Sequence, residues 1–324
     1  MSGLDTPLED ELAEHAFAND VLDGLTKPFK ELPPKYLYDA RGSELFERIT
    51  EQPEYYPTRA ELRILREHAA AVVARTGAGE LVELGAGAST KARVLLDAMR
   101  AAGTLRRYVP IDVSEAVVAE AARTLADDYP GVQISGVVGD FERDLGHVGR
   151  TGDTPRIAAL LGGTIGNFPP GTRRAVLTKI GSLLAEGDHL LLGTDLVKDP
   201  AIIEAAYNDA AGVTAEFNRN MLRVLNRVFD GDLPVENFEH VAFYDGRQEW
   251  VEMRLRAIRP CSARLEELDL RVEFAAGEEL RTEISAKFTP ARVRGDLEAS
   301  GLELCDLLTD PEGLFAISLS RPAS

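Results

Sequence analysis

The sequence predicts a doubly wound α/β sheet of seven strands, interrupted by a second segment of mixed α+β character. Three observations predict it. Strand-like and helix-like stretches alternate over residues 60–195. A helical stretch and a run of alternating apolar–polar strands replace them over residues 199–288, and a helix with two strands follows from Thr289. Helices placed between strands make those strands parallel and cover both faces of their sheet.

Residues 60–75 carry Leu62, Leu65, Ala69 and Val72 at the spacing of an amphipathic helix. Leu81-Val82-Glu83-Leu84 reads as a short buried strand, and Ser89 or Thr90 is positioned to cap the next helix, with Leu95, Leu96 and Met99 inward. A second strand spans residues 108–113, a helix beginning at Ser114 turns Val118, Ala122 and Leu125 inward, and a third strand spans 132–138. The fourth, 157–161, runs into Gly162-Gly163-Thr164-Ile165-Gly166-Asn167. After Pro169-Pro170 a helix aligns Val176, Leu177, Ile180 and Leu184, with Gly187 as its stop, before a fifth strand at 189–192.

Beyond residue 199 the pattern changes. A helical stretch precedes alternating strands at 251–256, 268–274 and 280–288, the first entered through an Asp245-Gly246 turn. These read as antiparallel and half-exposed. Thr289 then caps a helix with Pro290 at its first position and Gly301 past its end, and strands at 302–308 and 314–320 complete the sheet. The expected domains are 61–198 with 289–324 as the core, and 1–60 with the insertion 199–288 as a second domain. Residues up to about Leu25 read as loosely constrained.

Composition narrows the function. The chain has 324 residues, 44% hydrophobic, with 36 basic against 54 acidic residues and a formal net charge of −18. That field repels phosphate backbones and anionic lipid, so neither nucleic acid nor membrane is an expected partner. A small zwitterionic substrate or a cationic cofactor is compatible with it, although acidity also serves solubility alone. Cys261 and Cys305 lack metal or disulfide spacing and read as small buried residues; no metal site is expected. His15, His68, His147, His189 and His240 form no triad or ligand spacing and read as structural or exposed. The acidic N-terminus lacks a targeting pattern, and no segment approaches the ~20 apolar residues of a membrane helix. A cytosolic monomer is expected.

Glu83-Leu84-Gly85-Ala86-Gly87-Ala88-Ser89 ends the first strand. Its glycines permit a tight turn and close approach of a ligand to backbone. Thr90 replaces the third glycine of a dinucleotide fingerprint, which weakens the case for a pyrophosphate. Asp112 ends the second strand, where its carboxylate suits two ribose hydroxyls, and Asp140-Phe141 ends the third, suiting an adenine amine and ring. All lie at carboxyl ends of strands, where open α/β sheets bind ligands. An acid before the first glycine resembles the motif of class I methyltransferases, whose cofactor, S-adenosylmethionine (SAM), carries no phosphate.

Further motifs extend the likeness. Leu32-Pro33-Pro34-Lys35-Tyr36-Leu37-Tyr38-Asp39, Gly42-Ser43, Leu45-Phe46 and Pro53-Glu54-Tyr55-Tyr56-Pro57-Thr58-Arg59 resemble the histidine N-α-methyltransferases of ergothioneine biosynthesis. So do Gly193-Thr194-Asp195-Leu196-Val197-Lys198-Asp199, Tyr207-Asn208-Asp209-Ala210, Thr214-Ala215-Glu216-Phe217-Asn218-Arg219-Asn220 and Phe274-Ala275-Ala276-Gly277-Glu278-Glu279. The resemblance spans nearly the whole chain, insertion included. It implies a Rossmann-like class I methyltransferase core, SAM as cofactor, and trimethylation of the α-amine of free histidine to hercynine.

It also implies roles. Gly85, Lys91, Asp112, Asp140 and Phe141 contact the cofactor, with Tyr38 near its sulfonium. Tyr55 and Tyr207 hold the substrate carboxylate. Asn167, closing the loop that starts at Gly162, orients the amine; Met253 lines the imidazole pocket, and Glu283 and Ser285 bind the ring. Asn167 and Tyr38 thereby take the catalytic roles. From the residues alone, Lys91 reads equally as a surface lysine, Tyr55 and Tyr207 as packing aromatics, and Met253 as core. Glu283 and Ser285, roughly 6.6 Å apart along one strand face, read by default as a solvated face with Arg281 and Lys287. A neutral imidazole offers one N–H and one lone pair, which a carboxylate and a hydroxyl satisfy. No nucleophilic arrangement is present, and water or Tyr38 is left as the proton relay. Two alternatives stand beside histidine methylation: a methyltransferase of this architecture acting on another amine, and a non-catalytic SAM-binding regulator.

Overall fold

The structure, a computed structural model, describes residues 7–87, 89–141, 145, 148–150 and 152–323. It divides into two compact units. The larger comprises residues from Thr50 to Ala206, Tyr244 to Val251 and from Ser285 onward; the smaller comprises the chain through Ile49, Tyr207 to Phe243 and Glu252 to Ile284.

The larger unit is built on eight strands: β1 Glu80–Leu84, β2 Arg107–Asp112, β3 Gln133–Ile134, β4 Val137–Val138, β5 Arg156–Leu160, β6 His189–Asp195, β7 Leu302–Thr309 and β8 Phe315–Pro322. Their order is β7-β8-β6-β5-β1-β2-β3, with β4 also beside β2. Because β3 pairs with the start of β2 and β4 with its end, eight strands fill the seven expected positions. The strands through β6 pair in parallel, while β8 runs antiparallel to both β6 and β7. The expected third strand breaks at Ser135-Gly136. There the chain presses on the helix Glu115–Asp128, and a β-carbon on Gly136 would lie 2.3 Å from Val118 Cγ1.

Alternation along buried strands sorts the core into two layers. Leu81, Tyr108, Ile157, Ala159, Leu191 and Ile317 enter one cluster with the helices Tyr56–Thr76 and Thr90–Ala101. Val82, Val109, Ala158, Leu160, Leu190 and Leu192 enter the other with Pro170–Gly181 and Pro290–Glu298. In the helix Tyr56–Thr76 the buried stripe is Glu61, Ile64, Leu65, Ala69, Val72 and Val73, so Leu62 stands partly exposed and an acid takes its expected place.

Two caps follow expectation and one does not. Ser114 Oγ accepts from Val117 N at 3.4 Å, and Thr289 Oγ1 accepts from Arg292 N at 3.2 Å. Ser89 adopts a left-handed φ of 54° and makes no capping bond, because it completes the glycine turn. The helix from Pro170 ends at Gly181, so Leu184 falls outside it, and Gly187 (φ +89°) turns the chain toward β6.

A four-stranded sheet, most of it in the smaller unit, has the order Lys30–Glu31, Glu279–Ala286, Trp250–Ala257, Phe238–Asp245. The expectation of purely antiparallel, half-exposed strands is corrected twice. Lys30–Glu31 pairs in parallel with Leu280 and Arg281, and the strand Glu279–Ala286 is buried on both faces from Thr282 onward. A hairpin of Cys261–Leu265 and Leu270–Phe274 and the helix Val213–Val228 complete the packing. Of the stretch expected to be loose, residues 1–6 lie outside the described residues, and from Pro7 on it is not loose: it forms the helix Pro7–Thr26, in which Phe17 stacks on Tyr36 (3.7 Å between centroids) and Val21 and Leu25 are buried. Both cysteines are free and half-buried rather than buried. Among the described residues no helix is long and apolar enough to cross a membrane, and no three potential metal-ligating side chains converge.

Candidate active site

The carboxyl ends of β1, β2, β4 and β5 gather most of the predicted cofactor residues. Gly85 and Gly87 take φ of +75° and +48°, conformations that favour glycine. A β-carbon on Gly87 would meet nothing within 4 Å, and one on Gly85 would meet only the Phe141 ring, at 4.0 Å. The turn therefore borders open space that side chains would fill. Asp112 Oδ2 accepts from Gly87 N at 3.2 Å and Oδ1 from Ser114 N at 3.0 Å, which fixes the carboxylate beside the turn. Gly139 N donates to the Asp112 carbonyl at 2.9 Å and places Asp140 next in line, half-buried. Phe141, half-buried, meets Phe168 edge-on at 6.3 Å.

Lys91 is not a surface lysine. Its Nζ lies 2.6 Å from Oε2 of the fully buried Glu61, whose two oxygens also accept from Gly162 N at 2.9 Å. The tether needs space: a β-carbon on Gly193 would come within 2.1 Å of Glu61 Oε1. Glu61 thus links the cofactor helix to the loop after β5, a role the sequence reading missed. Its place on the apolar stripe of its helix was the available signal.

Glu83 is buried in β1, and burial, opposed by the Tyr108 hydroxyl that donates to it at 2.5 Å and by Lys91, pushes its carboxyl up to about 8. With Glu83 protonated, Glu61 and Asp112 still outnumber the one Lys91 ammonium, an acidic setting suited to a cationic ligand. These groups fit SAM: backbone-lined space, a carboxylate for a ribose diol, an aromatic beside it, and a lysine already neutralised rather than waiting for phosphate.

The loop after β5 turns at Gly162 and Gly163 (φ +81° and +71°) into the 3-10 turn Thr164–Asn167, leaving Asn167 half-buried at its end. Gly166 packs on the chain just past Ser285. Ser285 is buried and accepts from Lys287 Nζ at 3.0 Å; Lys287 is itself fully buried, 2.8 Å from Asp195 Oδ2. The Tyr56 hydroxyl donates to Asp195 Oδ2 at 2.8 Å, and Lys198 reaches both Asp195 and Tyr56. Burial lowers the Lys198 ammonium to about 8 against the pull of Asp195. Tyr55, buried, directly precedes the helix Tyr56–Thr76.

In the smaller unit, Tyr38 packs edge-on against Phe46 (5.5 Å) and Phe217 (5.3 Å). Tyr207, Met253 and Glu283 are buried, so the solvated-face reading of Glu283 and Ser285 is overturned, as it is for Lys287. One polar network underlies all three. His240 Nε2 lies 2.9 Å from the Tyr207 carbonyl and its Nδ1 2.9 Å from Asn218 Nδ2. Since the amide donates, Nδ1 accepts and Nε2–H donates, which assigns a neutral ring; burial also lowers its pKa. Asn218 Oδ1 accepts from Thr282, whose hydroxyl lies 3.1 Å from the Met253 carbonyl. His240 is structural, as expected, while His147 lies outside the described residues.

A profile of the family described as histidine-specific, SAM-dependent methyltransferases matches residues 17–322. The chain belongs to this histidine-specific methyltransferase family. It is 50% identical over 311 residues to the histidine N-alpha-methyltransferase of Mycolicibacterium smegmatis, covering 95% of each chain. It is 48% identical over 313 residues to that of Mycobacterium tuberculosis, covering 97% of each. Ergothioneine biosynthesis protein 1 of Neurospora crassa is 35% identical over 234 residues, 66% of this chain and 26% of that longer one. For this histidine-specific methyltransferase the core is a class I SAM-dependent fold, its cofactor is SAM, and its strand order places β1, with its glycine turn, between β5 and β2.

Proposed function

We propose that the chain adds three methyl groups in succession to the α-amino group of free L-histidine, giving hercynine, a step of ergothioneine biosynthesis. The observation that carries the reading is a buried carboxylate and a buried hydroxyl, Glu283 and Ser285, two residues apart on one strand face. A neutral imidazole supplies the matching donor and acceptor. The two mycobacterial relatives, aligned over nearly their whole length, support the same substrate.

In this reading Gly85, Lys91, Asp112, Asp140 and Phe141 hold the cofactor, with Tyr38 toward its reactive end. When bound, SAM supplies a methyl group on a sulfonium. Everything else the chain provides is position, which accounts for a large share of the rate in an in-line transfer. Tyr55 and Tyr207 take the substrate carboxylate, the loop from Gly162 to Asn167 orients the amine through Asn167, and Met253 walls the imidazole. We place the enzyme in the cytosol as a monomer without nucleic-acid or membrane partners, a reading that its charge of −18 supports. Incubation with SAM and each single amino acid, followed by mass spectrometry, tests the substrate. Histidine carrying up to three added methyl groups is expected, and preferential methylation of another amino acid would overturn it.

A further inference from the structure

We propose that His240 is a positioning residue for histidine binding. With Asn218 it ties the backbone of Tyr207 to the strand that carries Glu283, and so sets the spacing between the groups that take the two ends of the substrate. This rests on the reading that Tyr207 takes the carboxylate and Glu283 the imidazole.

Tyr207 is the last residue of the helix Pro200–Tyr207, where a backbone carbonyl finds no donor within its own helix. His240 supplies one, its Nε2 lying 2.9 Å from the Tyr207 oxygen. Two residues on, Asp209 accepts from Val213 N and Thr214 N, each at 2.7 Å, and caps the helix Val213–Val228. The short connection that carries Tyr207 is thus held on both sides.

Across the ring, His240 Nδ1 lies 2.9 Å from Asn218 Nδ2, which also donates to the Arg254 carbonyl at 3.0 Å. Asn218 Oδ1 accepts from the Thr282 hydroxyl, and both residues are fully buried. Two backbone carbonyls determine the polarity of this chain of bonds. Turning the Asn218 amide over would set its oxygen 3.0 Å from the Arg254 carbonyl, and moving the ring proton to Nδ1 would set a lone pair 2.9 Å from the Tyr207 carbonyl. Either change opposes two acceptors.

The helix Val213–Val228 already buries Phe217, Met221, Leu222 and Leu225, so its packing does not require a polar chain. Burying Asn218 and Thr282 is costly unless their bonds are made. What satisfied hydrogen bonds add over apolar contact is a unique arrangement. Thr282 and Glu283 project from opposite faces of their strand. Holding Thr282 from behind therefore fixes the strand where Glu283 is presented, relative to Tyr207.

The test measures kcat and KM for histidine, and SAM affinity by calorimetry, in wild type, His240→Leu, His240→Gln and Tyr207→Phe. Leucine removes both ring bonds; glutamine keeps one acceptor and one donor. His240→Leu is expected to raise the histidine KM roughly tenfold, the size of one misplaced hydrogen bond, with kcat and SAM affinity little changed. His240→Gln should bring KM back to within about threefold of wild type, an expectation on the same hydrogen-bond scale. A His240→Leu enzyme with wild-type KM, one that loses only kcat, or a glutamine variant as impaired as leucine overturns the proposal. If Tyr207→Phe raises KM in that case, the carboxylate reading survives; an unchanged KM in Tyr207→Phe overturns that reading itself. Should leucine prevent folding, His240→Asn, too short to reach Tyr207 but able to accept from Asn218, takes its place under the same criteria.

Discussion

Gly166 passes so close to Ala286 that a β-carbon on it would lie 2.8 Å from the Ala286 carbonyl oxygen and 3.1 Å from its amide nitrogen. Backbone atoms cannot swing aside as a side chain does. The contact fixes the 3-10 turn that ends in Asn167 against the residue following Ser285. Gly166→Ala must therefore displace the turn. A shift approaching 1 Å in a positioning element lowers rate by up to about 100-fold. Steady-state kinetics should show kcat reduced by at least tenfold, while SAM affinity, measured calorimetrically, is retained because Gly85 and Asp112 are untouched.

Glu61 ties Lys91 and Gly162 together from a fully buried position. In Glu61→Gln an amide replaces one carboxylate oxygen and the ammonium loses its counter-charge. Breaking a buried pair costs about 3–5 kcal/mol, and the partial exposure of Lys91 brings the expected loss to about 2–3 kcal/mol. Urea denaturation reads that loss, and SAM affinity should fall with it. Unchanged SAM affinity would separate Glu61 from the cofactor site.

Much of this architecture is legible in the sequence. The strands of the core follow from apolar runs between helices, and alternation there is masked only because both faces are buried. The break between β3 and β4 was not legible, since it arises from Gly136 meeting Val118 across a helix. The parallel pairing of Lys30–Glu31 with Leu280 and Arg281 was hidden for a similar reason, two residues being too short to show periodicity. In the site, glycines and strand-end acids announced themselves by position. The pairing partners Glu61 and Lys287 were harder to see, because a buried ion pair joins residues far apart in the chain; an apolar stripe hinted at Glu61, whereas Lys287 alone reads as surface.

The raised pKa of Glu83 fixes a sign for pH dependence. Folded Glu83 keeps its proton up to about pH 8, whereas the unfolded side chain releases it near 4.5. Between those values the native state binds more protons, so this group makes stability fall as pH rises. Glu83→Gln should flatten that fall. Thermal melts from pH 5 to pH 8.5 should show wild type losing more stability than the variant; parallel curves would show that Glu83 is ionised in the fold.

Asp112 is anchored by two backbone amides yet remains partly exposed toward the glycine turn. Replacing it with alanine removes the charge-assisted acceptor proposed for the ribose hydroxyls. Hydrogen bonds to charged groups contribute about 1.5–3 kcal/mol, so the SAM dissociation constant should rise roughly 10- to 100-fold. Histidine KM at saturating SAM should stay near wild type.

The proposed selection of histidine by the buried strand face is most directly measured in Glu283→Ala. Its kcat/KM for histidine at saturating SAM should fall by at least about 100-fold, since the ring N–H is left without its acceptor, with SAM binding preserved. Wild-type efficiency on histidine in that variant would contradict the assignment.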